Sequence, residues 1–460
     1  MTVIQRIFAL YRDREYFRQL FKIAIPIALQ NFITASLNMI GVMMLGQLGE
    51  VSLAAAGLAN QVFFLFSLLM FGIASGAAIF TAQLWGKKDI ASLRKVLGLC
   101  LALGLAASGI FLFLAEVLPA QILGIYSKDP QVIALGSEYL RIFGWSFVFF
   151  AVSFSYASVM RSIGEVKLPL AVSVSALSLN TLLAYALIFG KFGLPALGVR
   201  GAAIAGLIAR IIECAALLIF IYARRSPAAA TLRELLDLDA QFAWKVLKPV
   251  LPVALNEFLW SMGITTYNVV YARIGTDSIA AVNIVGTIDM LAMVIFMGIS
   301  SATAVLVGNR IGAGQEKEAF RYSARSLGLG VGGAILMGGI IFLSADAVLS
   351  LYKVSPAVIQ SARNVLTIVS LLLWLRVSNM IMIVGILRGG GDTRYSLIID
   401  GYIIWFVGVP AAFIGAFVFH LPVHWVYLLV MTEEFTKWAL GLRRFFSRKW
   451  IHNLARTVSI

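Results

Sequence analysis

The chain has 460 residues, is 60% hydrophobic and only 13% charged, and carries a formal net charge of +15. A water-soluble fold of this size would need far more charge on its surface, so a soluble class is excluded. The excess positive charge sits in short segments between apolar runs, which points to a membrane surface and away from nucleic acid.

The first segment, MTVIQRIFALYRDREYFRQLFK (1–22), spaces apolar side chains among basic ones and predicts an amphipathic helix at the interface. It lacks the compact apolar core and small-residue cleavage site of a signal peptide, so it is expected to be retained. Twelve apolar runs follow, at 23–46, 57–80, 95–118, 134–158, 168–190, 197–222, 248–272, 280–306, 322–345, 357–386, 396–418 and 422–444. Each is long enough for a helix to cross a bilayer. They are continuous rather than alternating, which favours helices over a barrel. Lys and Arg crowd the two tails and the even-numbered loops (Lys87, Lys88, Arg161, Lys167, Arg224, Arg225, Arg388, Arg394). The odd-numbered loops hold little beyond Lys128, Lys191, Arg273 and Lys353. That asymmetry puts both termini in the cytoplasm and requires an even number of spans. Cys100 and Cys214 sit inside spans, which predicts packing residues rather than a disulfide or metal pair.

The chain is also written twice. IPIALQNF at 25–32 meets LPVALNEF at 251–258, and LWGKKD at 84–89 meets RIGAGQ at 310–315, both at an offset of 226. MLGQLG at 44–49 meets YARIGT at 271–276, and RSIGEVK at 161–167 meets RGGGDTR at 388–394, both at 227. Six spans per half is an even number, so the halves are parallel repeats related by an axis along the membrane normal. The predicted fold is an all-α polytopic membrane protein, with twelve transmembrane helices in two pseudo-two-fold-related six-helix lobes. The expected boundaries are an N-lobe at 1–222, a cytoplasmic crossover at 223–245 and a C-lobe at 246–460. Two such halves suit an alternating-access transporter.

The paired polar corners close spans 4 and 10. Gly164 and Gly391 let the chain turn, and Arg161 and Arg388 are expected to anchor at inner headgroups. Asp392 is expected to cap the next helix or to pair with Arg388 or Arg394. A phosphate cradle is not indicated, because Walker spacing and a preceding strand are both missing. These corners, of the form R-x-x-G-[ED]-x-[KR], together with twelve spans and two halves opening on IP.AL or LP.AL, resemble the multidrug and toxic compound extrusion (MATE) family. The resemblance implies a two-lobe fold and export of organic cations, driven by inward flow of H+ or Na+.

A charge deep in lipid is costly and demands an account. Arg210 and Glu213 stand three apart and can neutralise each other, as can Glu433, Glu434 and Lys437. Asp400 lies early in span 11, close enough to the cytoplasm to be wet. Arg141 and Arg363, near outer span ends, can snorkel. Glu257 in span 7 and Asp289 in span 8 have no basic neighbour at helical spacing. They are the candidate cation-coupling residues, since a desolvated carboxylate can load a proton or offer oxygens to Na+. The alternative is a structural bridge from one of them to Arg376 of span 10. Span 1 presents Asn31, Thr34 and Asn38 on one face, with Gln30 beside them. The resemblance implies an aspartate in an N-x-x-D pattern here, and Gly41 stands in its place, which shifts the expected ion site to the C-lobe. Glu257 and Asn31 are equivalent in the repeat. The resemblance also implies an acid in span 10, where Arg376 and Asn379 are found. Trp260, Met290 and Met293, with Met297, supply the aromatic and thioether faces that suit flat organic cations. Substrate-binding candidates are therefore Asn31, Thr34, Asn38, Trp260, Met290, Met293, Asn379 and Arg376.

The function expected is a secondary multidrug antiporter in the cell (inner) membrane, a monomer, with no cofactor beyond the coupling ion, no metal site and no nucleic-acid partner. The chief rival is a lipid-linked saccharide flippase, whose anionic substrate would call for several lining cations. A membrane transferase would need paired acids or histidines at a membrane face, and His420, His424 and His452 have no acidic neighbour in sequence. A channel has less reason for a two-fold repeat.

Overall fold

The computed structural model describes residues 13–458, and within them all regular structure is helical. Residues 1–12 of the expected amphipathic helix lie outside the described residues. From Arg14 onward its sequence runs without a break into span 1, Arg14–Gly46. The remaining spans are Glu50–Lys87, Ile90–Val117, the pair Pro130–Gly144 and Ser146–Ser162, Lys167–Phe189, Gly198–Ala223, Ala240–Ile274, Thr276–Gly312, Glu316–Leu349, Pro356–Arg388, Thr393–Val418 and Val423–Ser447. Span 4 is therefore two helices, bent by 46° at Trp145. Nine of the described helices, or ten with that bent pair, are long and apolar enough to cross a membrane. The two that fall short, Ala240–Ile274 and Val423–Ser447, carry Glu257 and the Glu433, Glu434 and Lys437 group. Their charges are met by other helices of the protein rather than by lipid.

The chain forms two compact units. The amino unit comprises Leu29–Trp85 and Asp89–Leu247, and the carboxy unit comprises Lys248–Thr457 with residues 13–28 and Gly86–Lys88. The start of span 1 thus packs with the second half of the sequence, a departure from the boundary expected at residue 222. The reason is a set of tertiary contacts. Tyr16 is fully buried with its hydroxyl 2.7 Å from Ser326 Oγ, Asp13 Oδ2 lies 2.7 Å from Arg325 Nη1, and Gly298 leaves room for the backbone at Ala24. The Tyr16 amide, helped by Arg325, holds the Asp13 carboxyl below its ordinary range.

The amino unit has an aromatic core in which Phe66 stacks on Phe147 at 4.9 Å and Phe63 meets Phe143 edge-on at 5.4 Å. The crossover packs onto span 3 of the same unit through the short helix Leu232–Leu236. Thr231 and Glu234 cap its start reciprocally, Arg94 reaches Glu234 at 2.6 Å, and Lys95 reaches Asp237 at 2.7 Å. Cys100 and Cys214 are both free thiols, buried in this unit.

The two polar corners turn at Gly164 (φ +85°) and Gly391 (φ +88°), a backbone region that favours glycine. Two details of the second corner differ from expectation. Arg388 is no headgroup anchor, being only 3% exposed. Asp392 makes no side-chain cap and instead accepts from Arg444 Nε at 2.6 Å. The chain after span 12 folds back over this corner. Trp450 is fully buried against Gly390, the His452 amide donates to the Gly390 carbonyl at 2.8 Å, and Asn453 donates to the Ile311 carbonyl at 3.0 Å. Around this corner the last turns of span 10 (Ile381–Arg388) and the start of span 11 (Leu397–Tyr402) adopt wide π-helical turns, a form that recurs near functional sites.

Candidate functional site

The polar groups of the carboxy unit converge from spans 7, 8, 10, 11 and 12. Glu257 lies at mid-length of span 7, and Arg388, at the carboxy-terminal end of span 10, reaches its Oε1 at 2.5 Å. The same guanidinium approaches Asp400 of span 11 at 3.7 Å. Asp400 also accepts from Lys437 of span 12 at 2.7 Å and from Asn256 Nδ2 at 2.9 Å. Lys437 reaches one helical turn back to Glu433 at 2.5 Å, and the Tyr267 hydroxyl donates to the other oxygen of Glu433. A continuous chain of charge therefore runs Glu257, Arg388, Asp400, Lys437 and Glu433, and the neutral Tyr267 hydroxyl closes it. Lys437 and Glu433 are 2% and 3% exposed, so water does little of the solvation. Charges taken out of water must be held by partners, and this network supplies them.

A second pair stands beside it. Asp289 of span 8 and Arg376 of span 10 meet at 2.6 Å, which is the bridge that the sequence left open for one of the two acids. One turn along span 10, Asn379 Nδ2 donates to both the carbonyl and the carboxylate of Glu434, each at 2.7 Å. These groups comprise the carboxylates Glu257, Asp289, Asp400, Glu433 and Glu434 and the cations Arg376, Arg388 and Lys437. Carboxylates outnumber cations by two. Several polar atoms here also have no partner among the described residues, namely Asn256 Oδ1, Arg388 Nε and Asn379 Oδ1.

The amino unit treats the equivalent positions differently. At the offset of 227, Arg388 corresponds to Arg161, Asp400 to Ser173 and Lys437 to Arg210. Arg210 and Glu213 pair at 2.7 Å, as their spacing indicated, and Ser173 donates to Glu213 at 2.7 Å. The Arg210 guanidinium lies 4.9 Å over the Phe150 ring and 5.7 Å over Phe63. Arg161 is half-buried and lies over Phe154 at 5.6 Å. This set holds two cations and one carboxylate, so its excess is positive where that of its counterpart is negative.

The remaining candidates are more scattered. Asn31 and Thr34 are half-buried and Asn38 is exposed, all three on span 1 within the amino unit. Trp260 and Met290 are 43% and 57% exposed, and Met293 is half-buried. None of these joins the charged network. Sequence reasoning missed the linkage of Asp400 to Lys437 and of Arg388 to Glu257. Asp400 was expected to be wet, yet its side chain is 14% exposed and held by two donors, with the Arg388 guanidinium nearby. One signal was available, because spans 11 and 12 are antiparallel neighbours and place residues 400 and 437 at similar depth.

The MatE family model matches residues 26–186 and 252–414. The starts of these two segments are 226 positions apart, the offset of the internal repeat. A probable multidrug resistance protein NorM from Thermotoga maritima is 25% identical over 435 residues, covering 94% of this chain and 93% of its own. A protein of the same name from Rhizobium meliloti is 29% identical over 420 residues, covering 87% of each. The solved structure of a MATE transporter from Vibrio cholerae superposes with a TM-score of 0.87 at 19% identity, over 96% of this chain and 99% of that one.

Proposed function

The chain belongs to the MatE family and is a multi-pass membrane transporter rather than an enzyme, and from that premise we propose that it exports organic cations of several kinds in exchange for inward H+ or Na+. The observation that carries this reading is the charge imbalance in the carboxy unit. Five carboxylates face three protein cations in a setting largely closed to water, so added positive charge is stabilised there. Glu257 and Asp289 are the coupling acids of this proposal. A proton or Na+ on Glu257 weakens its attraction for Arg388, and that guanidinium ends at the cytoplasmic corner of span 10. Loaded and empty forms then favour different arrangements of the same helices, which is what exchange across two states requires. An organic cation competes for the same negative field. The relatives' names, multidrug resistance proteins, support a broad substrate range. The membrane is the cell (inner) membrane in this reading, with both termini cytoplasmic, as the distribution of Lys and Arg implies.

A lipid-linked saccharide flippase, the main rival, would need a surplus of cations for its anionic substrate, and the network has the opposite sign. The test is ethidium efflux from proteoliposomes under an imposed pH gradient and then a sodium gradient. Glu257→Gln is expected to abolish efflux while the protein still reaches the membrane at the wild-type level. Wild-type drug resistance in cells expressing that variant at equal abundance would refute the role given to Glu257.

A further inference from the structure

We propose that the crossover between spans 6 and 7 is a docking surface for anionic phospholipid headgroups, with the short helix Leu232–Leu236 lying on the bilayer; the inference is independent of what the protein transports. This helix has two unlike sides. At about 3.6 residues per turn, Leu232, Arg233 and Leu236 fall on one side and Glu234 and Leu235 on the other. The second side meets the protein, since Leu235 is 8% exposed and Glu234 pairs with Arg94 at 2.6 Å. The first side faces away. Leu232 and Leu236 are 76% and 75% exposed, and Arg233 is exposed between them. Trp244, in the first turns of Ala240–Ile274, is 61% exposed. Covering such apolar side chains is favourable, and nothing among the described residues covers them.

The charges select the occupant. Two acids of the segment are engaged on the protein side, Glu234 by Arg94 and Asp237 by Lys95 at 2.7 Å. Arg224, Arg225, Arg233 and Lys245 are all exposed and make no ion pair among the described residues, and Asp239 is the one acid of the segment in the same state. The outward surplus is therefore positive, with leucines set among the cations. Cations at phosphate depth with apolar side chains below them are the means by which an amphipathic segment holds an anionic leaflet. Tethering favours the bilayer over a soluble partner. Residues 224–239 leave one span at Ala223 and enter the next at Ala240, so both ends are held at one face of the membrane. The bilayer is thus present at high effective concentration, whereas a soluble partner has to be captured from solution. An exposed tryptophan at the start of span 7 suits the same interfacial depth.

The experiment attaches an environment-sensitive fluorophore to full-length protein carrying Leu236→Cys. Cys100 and Cys214 are buried, so the unsubstituted chain serves as the labelling blank. The labelled protein is placed in nanodiscs of phosphatidylcholine alone or mixed with phosphatidylglycerol. In the mixed discs the probe is expected to be quenched by a lipid spin-labelled near its headgroup and shielded from aqueous iodide, and in the neutral discs iodide is expected to reach it. Replacing Arg224, Arg225 and Arg233 by Gln is expected to lower the ratio of docked to undocked probe by about five-fold for each cation removed. Leu232→Asp is expected to restore iodide access in the mixed discs. Equal iodide access in both lipid compositions overturns the proposal, as does wild-type shielding in either folded variant. A probe shielded from iodide but untouched by the lipid quencher is covered by protein, and that too overturns it. Should the labelled protein fail to fold, hydrogen exchange of the unsubstituted chain at residues 232–236 decides: slower exchange in the mixed discs supports the surface, and equal exchange overturns it.

Discussion

Arg388 satisfies two acids from different helices, Glu257 at 2.5 Å and Asp400 at 3.7 Å, with its side chain 4% exposed. Removing such a partner costs more than the ion pair itself contributes, because the acids are left buried and uncompensated. Arg388→Ala is therefore expected to destabilise the carboxy unit by about 3–5 kcal/mol, seen as a lower melting temperature of the purified protein. Adding Glu257→Gln to that variant should recover part of the loss, since it removes one of the stranded charges. A single variant that melts with the wild type would show that the pair is not held as described. The residue scale is also where sequence reading was weakest. Arg388 was legible as a corner residue, but its partners stand 131 and 12 positions away in the chain, and no spacing rule links span 7 to the end of span 10.

At the scale of elements, the segment after span 12 and the corner beneath it are fitted to each other. A Cβ on Gly390 would lie 2.6 Å from the Trp450 carbonyl oxygen and 2.3 Å from its ring, and the backbone cannot yield as a flexible side chain would. Gly390→Ala is expected to cost about 1–3 kcal/mol and to lift the tail, so that limited trypsin treatment cuts at Arg448 or Lys449 faster than in wild type. Equal cutting rates would contradict the packing. The crossover helix Leu232–Leu236 gives a pH-dependent case. Glu234 is held below the usual carboxyl value of 4.5 by the Thr231 amide and then by Arg94. A depressed value means that the unfolded form binds protons more readily, so the contribution is fully present above pH 4.5 and fades as pH falls through the folded value. The hydrogen-exchange protection factors at residues 232–236, taken against the intrinsic rate at each pH, are expected to fall on acidification below that point in wild type, and not in Glu234→Gln. The sequence located this crossover by its polarity, and the capping pair Thr231 and Glu234 is a recognisable spacing. That span 3 supplies Arg94 and Lys95 as its partners depended on the fold.

For the molecule as a whole, the repeat gives two units of one plan with different electrostatics. The amino unit closes Arg210 on Glu213 and leaves one cation in excess, and the carboxy unit leaves two carboxylates in excess. Replacing the balanced pair together, as Arg210→Met with Glu213→Gln, is expected to leave ethidium efflux near the wild-type rate. The corresponding double change in the carboxy unit, Lys437→Met with Asp400→Asn, is expected to reduce efflux to background at equal abundance in the membrane. Equal effects of the two double variants would remove the functional asymmetry between the halves.

Composition, the continuity of the apolar runs and the offset of 226 or 227 determined the helical class, the number of spans and the two-fold repeat, because a bilayer imposes length and hydropathy on each crossing segment independently. Glu257 and Asp289 were visible for the same reason: an acid in an apolar run is conspicuous wherever the helix goes. The tertiary structure decided which cation each acid meets, that Glu434 meets an amide rather than a cation among the described residues, and that the first turns of span 1 pack with the second half. Those outcomes depend on the rotation and neighbours of each helix. A hydropathy pattern does not encode them, because a span apolar on most of its surface can turn several faces toward its partners.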